Sequence, residues 1–417
     1  MVHEGFMTEP SGPRRIIEVH RGIIGPVVPR PCAARVRRLE DYPHVAAAHR
    51  DVARRLSSPL LFGPPICDEL MALVQHLFTE EEASVVRHLA PLRSKSARQV
   101  ARRERRPVEE VEEILNRLAL QKRVIGSTGS DGQRRYQLLA IMPGIFEMVL
   151  VSETPESLSD WHRKFVELVE SLYETGYTAT FSQRPTRTIR YLPVSRVADA
   201  HPMAIPSDHM ESVLDRYKVF GIGQCQCRTT MAALGHGCGK PLGNCTVMGD
   251  WAIQGIREGW LKKASRRDVL EAKREAEAHG LVSFVLNVDS APGQVSCSCC
   301  GCCCKAMRTM SEFNAPSLVA PPHFLPQFHA DHCNFCGKCA AACPMGAITI
   351  GLQDKTREHS LARCIGCGLC AVACPQPGAI AMVAASNYRP PFRNWFSLIA
   401  HTVPVVLRKA WTTWRQG

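Results

Sequence analysis

Two runs of cysteine constrain this chain more than any other feature. The first is Cys333-Asn334-Phe335-Cys336-Gly337-Lys338-Cys339, closed by Cys343 and Pro344. The second is Cys364-Ile365-Gly366-Cys367-Gly368-Leu369-Cys370, closed by Cys374 and Pro375. Every cysteine of the first run recurs 31 residues later in the second. The spacing C-x2-C-x2-C-x3-C-P is that of bacterial-type iron–sulfur ligation. Thiolates at i, i+3 and i+6 on a tight loop reach three corners of one cubane, and Gly337 and Gly368 permit the sharp backbone path this needs. The fourth cysteine of each run leaves on the following segment and reaches the other cluster. Zinc ribbons also use C-x2-C pairs, but they take four ligands as two pairs, not two triplets each followed by Cys-Pro.

Over about 55 residues this segment resembles the dicluster bacterial-type ferredoxins. By that resemblance Cys333, Cys336, Cys339 and Cys374 hold one [4Fe–4S] cluster, and Cys364, Cys367, Cys370 and Cys343 hold the other. It also implies one-electron transfer between neighbouring cubanes.

Eighteen of the 20 cysteines lie between Cys225 and Cys374, leaving only Cys32 and Cys67, which read as small buried hydrophobes. At 417 residues the chain is too long for a disulfide-stapled miniprotein, and 45% hydrophobic with 22% charged residues excludes global disorder. The N-terminus, MVHEGFMTEPSGPRRII, lacks an apolar signal region, and no stretch reaches the length of a spanning helix. A cytoplasmic setting is therefore expected, where dense thiols bind metal or carry redox chemistry.

The remaining ten cysteines form two further groups. Cys225, Cys227, Cys238 and Cys245 read C-x-C-x10-C-x6-C; Cys297, Cys299, Cys300, Cys302, Cys303 and Cys304 crowd six thiols into eight residues. Neither is a standard ferredoxin run. Adjacent cysteines on a strand face opposite ways, so Cys299 and Cys300 serve two sites or, in an irregular loop, one larger cluster. A third iron–sulfur cluster, a zinc site and redox-active thiols all remain open. These cysteines are expected in glycine-rich loops flanking a helix from Ser265 to Gly280 and a strand at Leu281–Leu286. Arg228 either donates to a cluster sulfur or pairs with a carboxylate at the surface. With its CxCR and CCGCCC segments ahead of the paired runs, about 80% of the chain resembles a family of multi-cluster 4Fe–4S-binding proteins. Its members often carry a winged-helix-like N-terminal domain, and the resemblance implies little mechanism.

Elsewhere the signals are structural. Thr79 with Glu82, Ser96 and Pro107 open three helices, and two short strands flank a Gly126–Gly132 turn. That order resembles a winged helix. Its third helix exposes Glu109, Glu110, Glu112 and Glu113, which would repel phosphate, so protein docking is expected over DNA binding despite Arg102, Arg103, Arg105 and Arg106. Gly221-Ile222-Gly223 and Gly239-Lys240-Pro241 lack the residues of nucleotide-binding loops. His323, His329 and His332 read as surface histidines. In the tail, Phe396, Ile399, Val403, Leu407, Trp411 and Trp414 form an apolar stripe among Arg393, Arg408, Lys409 and Arg415. It packs on the protein or a partner, or lies on an anionic membrane surface.

The expected fold is α+β in five parts: an extension over 1–60, a winged-helix-like domain over 61–142, a Cys-rich domain over 143–320, a dicluster ferredoxin domain over 321–384 and a basic amphipathic tail over 385–417. The expected function is passage of low-potential electrons to a partner redox enzyme. The alternatives are a reductase subunit with a catalytic or unusual middle cluster, and a redox-sensing DNA-binding regulator.

Overall fold

A computed structural model describes residues 12–91, 93–129, 132–181, 187–315 and 319–416. Helices and strands are mixed throughout, as an α+β chain requires. The described residues form two compact units, one of 12–30 with 187–399 and the other of 31–181 with 400–416.

The first unit opens with a hairpin, β1 (Ile17–His20) and β2 (Ile23–Pro26). Its central sheet takes β3 (Ile189–Tyr191), β4 (Phe220–Gly223), β5 (Cys245–Gly249), β6 (Lys262–Ala264), β7 (Val282–Leu286) and β8 (Gly293–Cys299). The strand order is β3-β7-β8-β5-β4-β6, antiparallel at every pairing. Helix α1 (Gln226–Ala233) follows β4, α2 (Arg266–Ala278) precedes β7, and α3 (Lys305–Phe313) follows β8. The capping box expected for α2 forms. Ser265 Oγ accepts from the Asp268 amide, and the Asp268 carboxylate accepts from the Ser265 amide at 2.8 Å. Gly280, at φ +68°, follows the end of that helix.

Strand alternation assigns the two faces of this sheet. Phe220, Met248 and Val285 pack with Val269 and Leu270 of α2. Val282, Phe284, Cys297 and Cys299 pack the other way, with Met307 and Met310 of α3. Val282 and Met307 are fully buried, each contributing about 2 kcal/mol through the area it removes from water.

The C-terminal part of this unit contains β9 (Phe324–Phe328), α4 (Lys338–Ala341), β10 (Ile348–Gly351), β11 (Thr356–His359), α5 (Leu369–Ala373) and β12 (Ile380–Ala384). β9 pairs with β12, and β10 with β11. The early hairpin joins here: Ile24 of β2 pairs with Ile350 of β10, giving a four-stranded sheet, β1-β2-β10-β11.

The second unit holds the helices Ala47–Leu56, Asp68–Leu77 and Asp160–Glu174, among others. Within it Glu80–Val86, Ala97–Glu104 and Val108–Asn116 precede the strands Gly126–Thr128 and Arg135–Gln137. Thr79 caps the first of these helices through the expected reciprocal bonds with Glu82. Cys67 is buried as expected, but Cys32 is exposed, its thiol directed at the Gly176 carbonyl at 3.5 Å. The last helix is Trp395–Gln416. Phe396 and Leu407 are exposed on it, while the side chains of Arg408, Lys409, Trp411, Trp414 and Arg415 lie outside what is described. Among the described residues no helix is long and apolar enough to cross a membrane.

Candidate metal centres

Each repeated run folds the same way. Phe335 and Gly366, one repeat apart, both take left-handed backbone at φ +54° and +65°. Gly337 and Gly368 do the same at +74° and +79°, and each is the residue before a short helix, α4 or α5. A Cβ on Gly368 would lie 2.6 Å from Val197 Cγ2, so both conformation and space select glycine there.

The cysteines of the two runs exchange partners. Cys339 interacts electrostatically with Cys333, Cys336 and Cys374; Cys367 interacts with Cys343, Cys364 and Cys370. The two groups meet where Cys339 and Cys370 share an apolar cluster with Ala340, Ile348 and Ile350. Burial pushes the Cys339 and Cys364 thiols up to about 11. Buried thiolates therefore need compensating positive charge, which a metal cluster supplies. Backbone amides also point at sulfur: Phe335 N donates to Cys333 Sγ at 3.4 Å, and Ala347 N to Cys343 Sγ at 3.2 Å. Cys343, Cys364, Cys367 and Cys370 line one cavity together with Met345 and Ile365. A soft, all-thiolate donor set around a cavity fits an iron–sulfur cluster.

Residues 325–375, which contain all eight of these cysteines, match the family model described as the 4Fe-4S dicluster domain. The C-terminal part of the chain is thus a ferredoxin-like dicluster domain. No curated protein and no solved structure matches the chain.

The ten middle cysteines gather at one end of the six-stranded sheet, and they are not confined to loops. Cys245 begins β5, and Cys297 and Cys299 lie in β8, where strand periodicity turns both to one face. Cys225 precedes α1, Cys227 lies in its first turn, and Cys304 precedes α3. Two groups result. Cys238, Cys300, Cys302 and Cys303 place their sulfurs within 4.8 Å of one another, with Cys302 and Cys303 at 3.7 Å. Among the described residues no other group of His, Cys, Asp or Glu converges so tightly. The other six are strung out: Cys304 is within hydrogen-bonding reach of Cys227 and Cys299, and Cys297 of Cys245 and Cys299. Cys225 lies near Cys297 and Cys300. Adjacent Cys299 and Cys300 therefore belong to different groups.

Cations surround these thiols. Arg228 is 2% exposed, not a surface residue. It donates to the Ser298 carbonyl at 2.7 Å and Asn244 Oδ1 at 2.6 Å, and also reaches Cys300. Lys273 is buried too, donating to the Asn244 and Ser296 carbonyls and to Ser298 Oγ. Burial pulls its ammonium down to about 8 against the opposing effect of Cys297, Cys245 and Cys299. Gln226 Nε2 donates to Cys245 Sγ at 3.7 Å, and the Tyr191 hydroxyl lies 3.9 Å from Cys304 Sγ. Besides Arg228, Lys273 carried a sequence signal: it interrupts the apolar stripe of Val269, Leu270 and Ala276 on α2. His323 also departs from expectation. It is largely buried, with Nδ1 2.7 Å from Asp208 Oδ2 and its ring stacked on Tyr388.

The CCGCCC segment packs against the dicluster domain. A Cβ on Gly301 would fall 1.9 Å from the Pro344 carbonyl oxygen, directly after Cys343. Gly301→Ala is expected to force the two backbones apart at a cost of about 1–3 kcal/mol. Faster hydrogen exchange in both segments would report this, and unchanged exchange would show that the contact tolerates a methyl group.

Proposed function

We propose that this chain is an iron–sulfur electron-transfer protein in which the six strung-out middle thiols hold a further polynuclear centre beside the ferredoxin clusters. One observation carries the reading. A single apolar cluster contains Cys343, Cys364 and Cys367 of the dicluster domain and Cys297, Cys299 and Cys304 of the middle group, with Tyr191, Met345 and Ile365 packed among them. Bound clusters supply one-electron chemistry. The protein's part is to exclude water between the thiol groups, to aim hydrogen bonds at sulfur, and to offset thiolate charge with Arg228 and Lys273. By resemblance the ligand sets are Cys333, Cys336, Cys339 and Cys374, and Cys364, Cys367, Cys370 and Cys343. Low-potential electrons would pass through the middle group to a partner redox protein in a reducing cytoplasm.

Six thiols exceed the four that a cubane uses. That surplus favours, as a second reading, an oxidoreductase subunit whose middle cluster acts on substrate. The helical run and hairpin of the other unit support a winged-helix-like docking domain. Exposed Glu109, Glu110 and Glu113 there speak for a protein partner over nucleic acid.

Anaerobic purification with iron and sulfide counting and EPR tests the main reading. About twelve irons per chain are expected, four for each cubane and about as many for the middle centre. A count of about eight removes the middle centre, and substrate-dependent reoxidation by the protein alone selects the enzyme reading.

A further inference from the structure

The compact group of four thiols has a shape that the proposed electron path does not use. A metal ion bound tetrahedrally by thiolates at about 2.3 Å sets its sulfurs about 3.8 Å apart along every edge. The Cys302–Cys303 separation is 3.7 Å, and all four sulfurs fall within 4.8 Å of one another. A cubane instead binds its thiolates to four different irons, around a core of four irons and four sulfides, and spreads them much further apart. The compact group is therefore the size of one ion.

Its surroundings agree. Cys300 and Cys303 are buried against Met231, Ala276 and Leu281, which close one side of the site to water. All four positions are filled by protein thiols, as in structural zinc sites, with none left for water or substrate. Four thiolates around a divalent ion leave a double negative charge, and Arg228 lies within hydrogen-bonding reach of Cys300 to meet it.

We propose that Cys238, Cys300, Cys302 and Cys303 form a mononuclear tetrathiolate centre that holds zinc, separate from the iron bound by the other middle thiols. Zinc has no redox chemistry, so the centre is a staple. It ties the loop after α1, which carries Cys238, to the CCGCCC segment after β8. That segment is the one that presents Cys299 and Cys304 toward the dicluster domain. The zinc assignment stands on these four residues alone and rests on the proposed function only for what the staple positions.

The experiment uses the full chain purified anaerobically. Metal analysis is expected to find one zinc per chain beside the iron, and zinc-edge X-ray absorption a single shell of four sulfurs at about 2.3 Å. Cys302→Ala is expected to lose the zinc while the EPR signals of the two ferredoxin cubanes persist; Cys364→Ala is expected to lose iron and keep zinc. If Cys302→Ala does not fold, a chromophoric chelator added to the wild-type protein should release one zinc without bleaching the iron–sulfur absorbance. The proposal is overturned by a wild-type protein without zinc, by nitrogen or oxygen in the zinc shell, by mononuclear iron at this site, or by loss of about four irons in Cys302→Ala. A low iron count with zinc intact would sink the proposed electron path and leave this centre standing.

Discussion

Cys343→Ala is expected to remove about four irons per chain and to spare the cluster site assigned to the run in which Cys343 itself lies. In sequence Cys343 closes the first run. In space it stands with Cys364, Cys367 and Cys370, in the cavity those cysteines line. The converse variant, Cys374→Ala, is expected to empty the site of Cys333, Cys336 and Cys339. Iron and sulfide counts give the loss, and EPR of the reduced protein identifies the survivor. Magnetic coupling between the two reduced ferredoxin clusters should vanish in both variants, leaving the signal of one ferredoxin cluster beside that of the middle centre. Identical residual spectra from the two variants would contradict the exchange of fourth ligands between the runs.

Glu312→Gln is expected to cause a large loss of stability. Arg308 is fully buried, and its guanidinium pairs with Glu312 at 2.7 Å within α3. Arg30 reaches the same carboxylate at 2.7 Å and Arg14 at 3.7 Å. Neutralising the carboxylate removes the ion pair that Glu312 makes with the buried Arg308 guanidinium, which costs about 3–5 kcal/mol. Amide exchange along α3 would show the lower opening energy, and wild-type protection in the variant would refute it. The effect also has a pH signature. Burial pushes the Glu312 carboxyl up, but Arg308, Arg14 and Arg30 outweigh it and hold it below the ordinary carboxylate range. A depressed folded value stabilises the protein above the unfolded pKa of about 4.3, and the gain is lost as pH falls through the folded value. The difference in protection between wild type and variant should therefore shrink below about pH 4.3.

These expectations draw unequally on sequence and structure. The paired runs were legible because local spacing dictates their chemistry. Three thiols on one tight turn need left-handed residues at fixed offsets, and Gly337, Gly366 and Gly368 stand at such positions. Helix starts at Thr79, Ser96 and Ser265 were legible for a similar reason, since a cap is made within four residues. The winged-helix resemblance rested on element order alone, and order leaves the packing of elements open.

The middle cysteines were legible as candidate metal ligands but not as a map. Cys238 and Cys300 lie 62 residues apart, and nothing in their local sequence pairs them. Their meeting depends on how β5 pairs with β8 and on where the loop after α1 is carried. The expectation of loop-borne ligands missed Cys245, Cys297 and Cys299 for the same reason: a cysteine at a strand position carries no signal of which neighbour strand it will face. Sequence left Arg228 open between a sulfur donor and a surface ion pair, and His323 read as a surface residue, because their partners, Ser298, Asn244 and Asp208, are distant in sequence.

By itself, then, the sequence determined that eight thiols come in two cubane-type loops, because ligand geometry there is set within a dozen residues. Only the tertiary structure decided how the other ten divide into four and six, and that three of the six, Cys297, Cys299 and Cys304, share an apolar cluster with the dicluster domain. Cys299 ends β8 and Cys300 lies just beyond it, and long-range pairing of β8 with β7 and β5 sets which groups they meet.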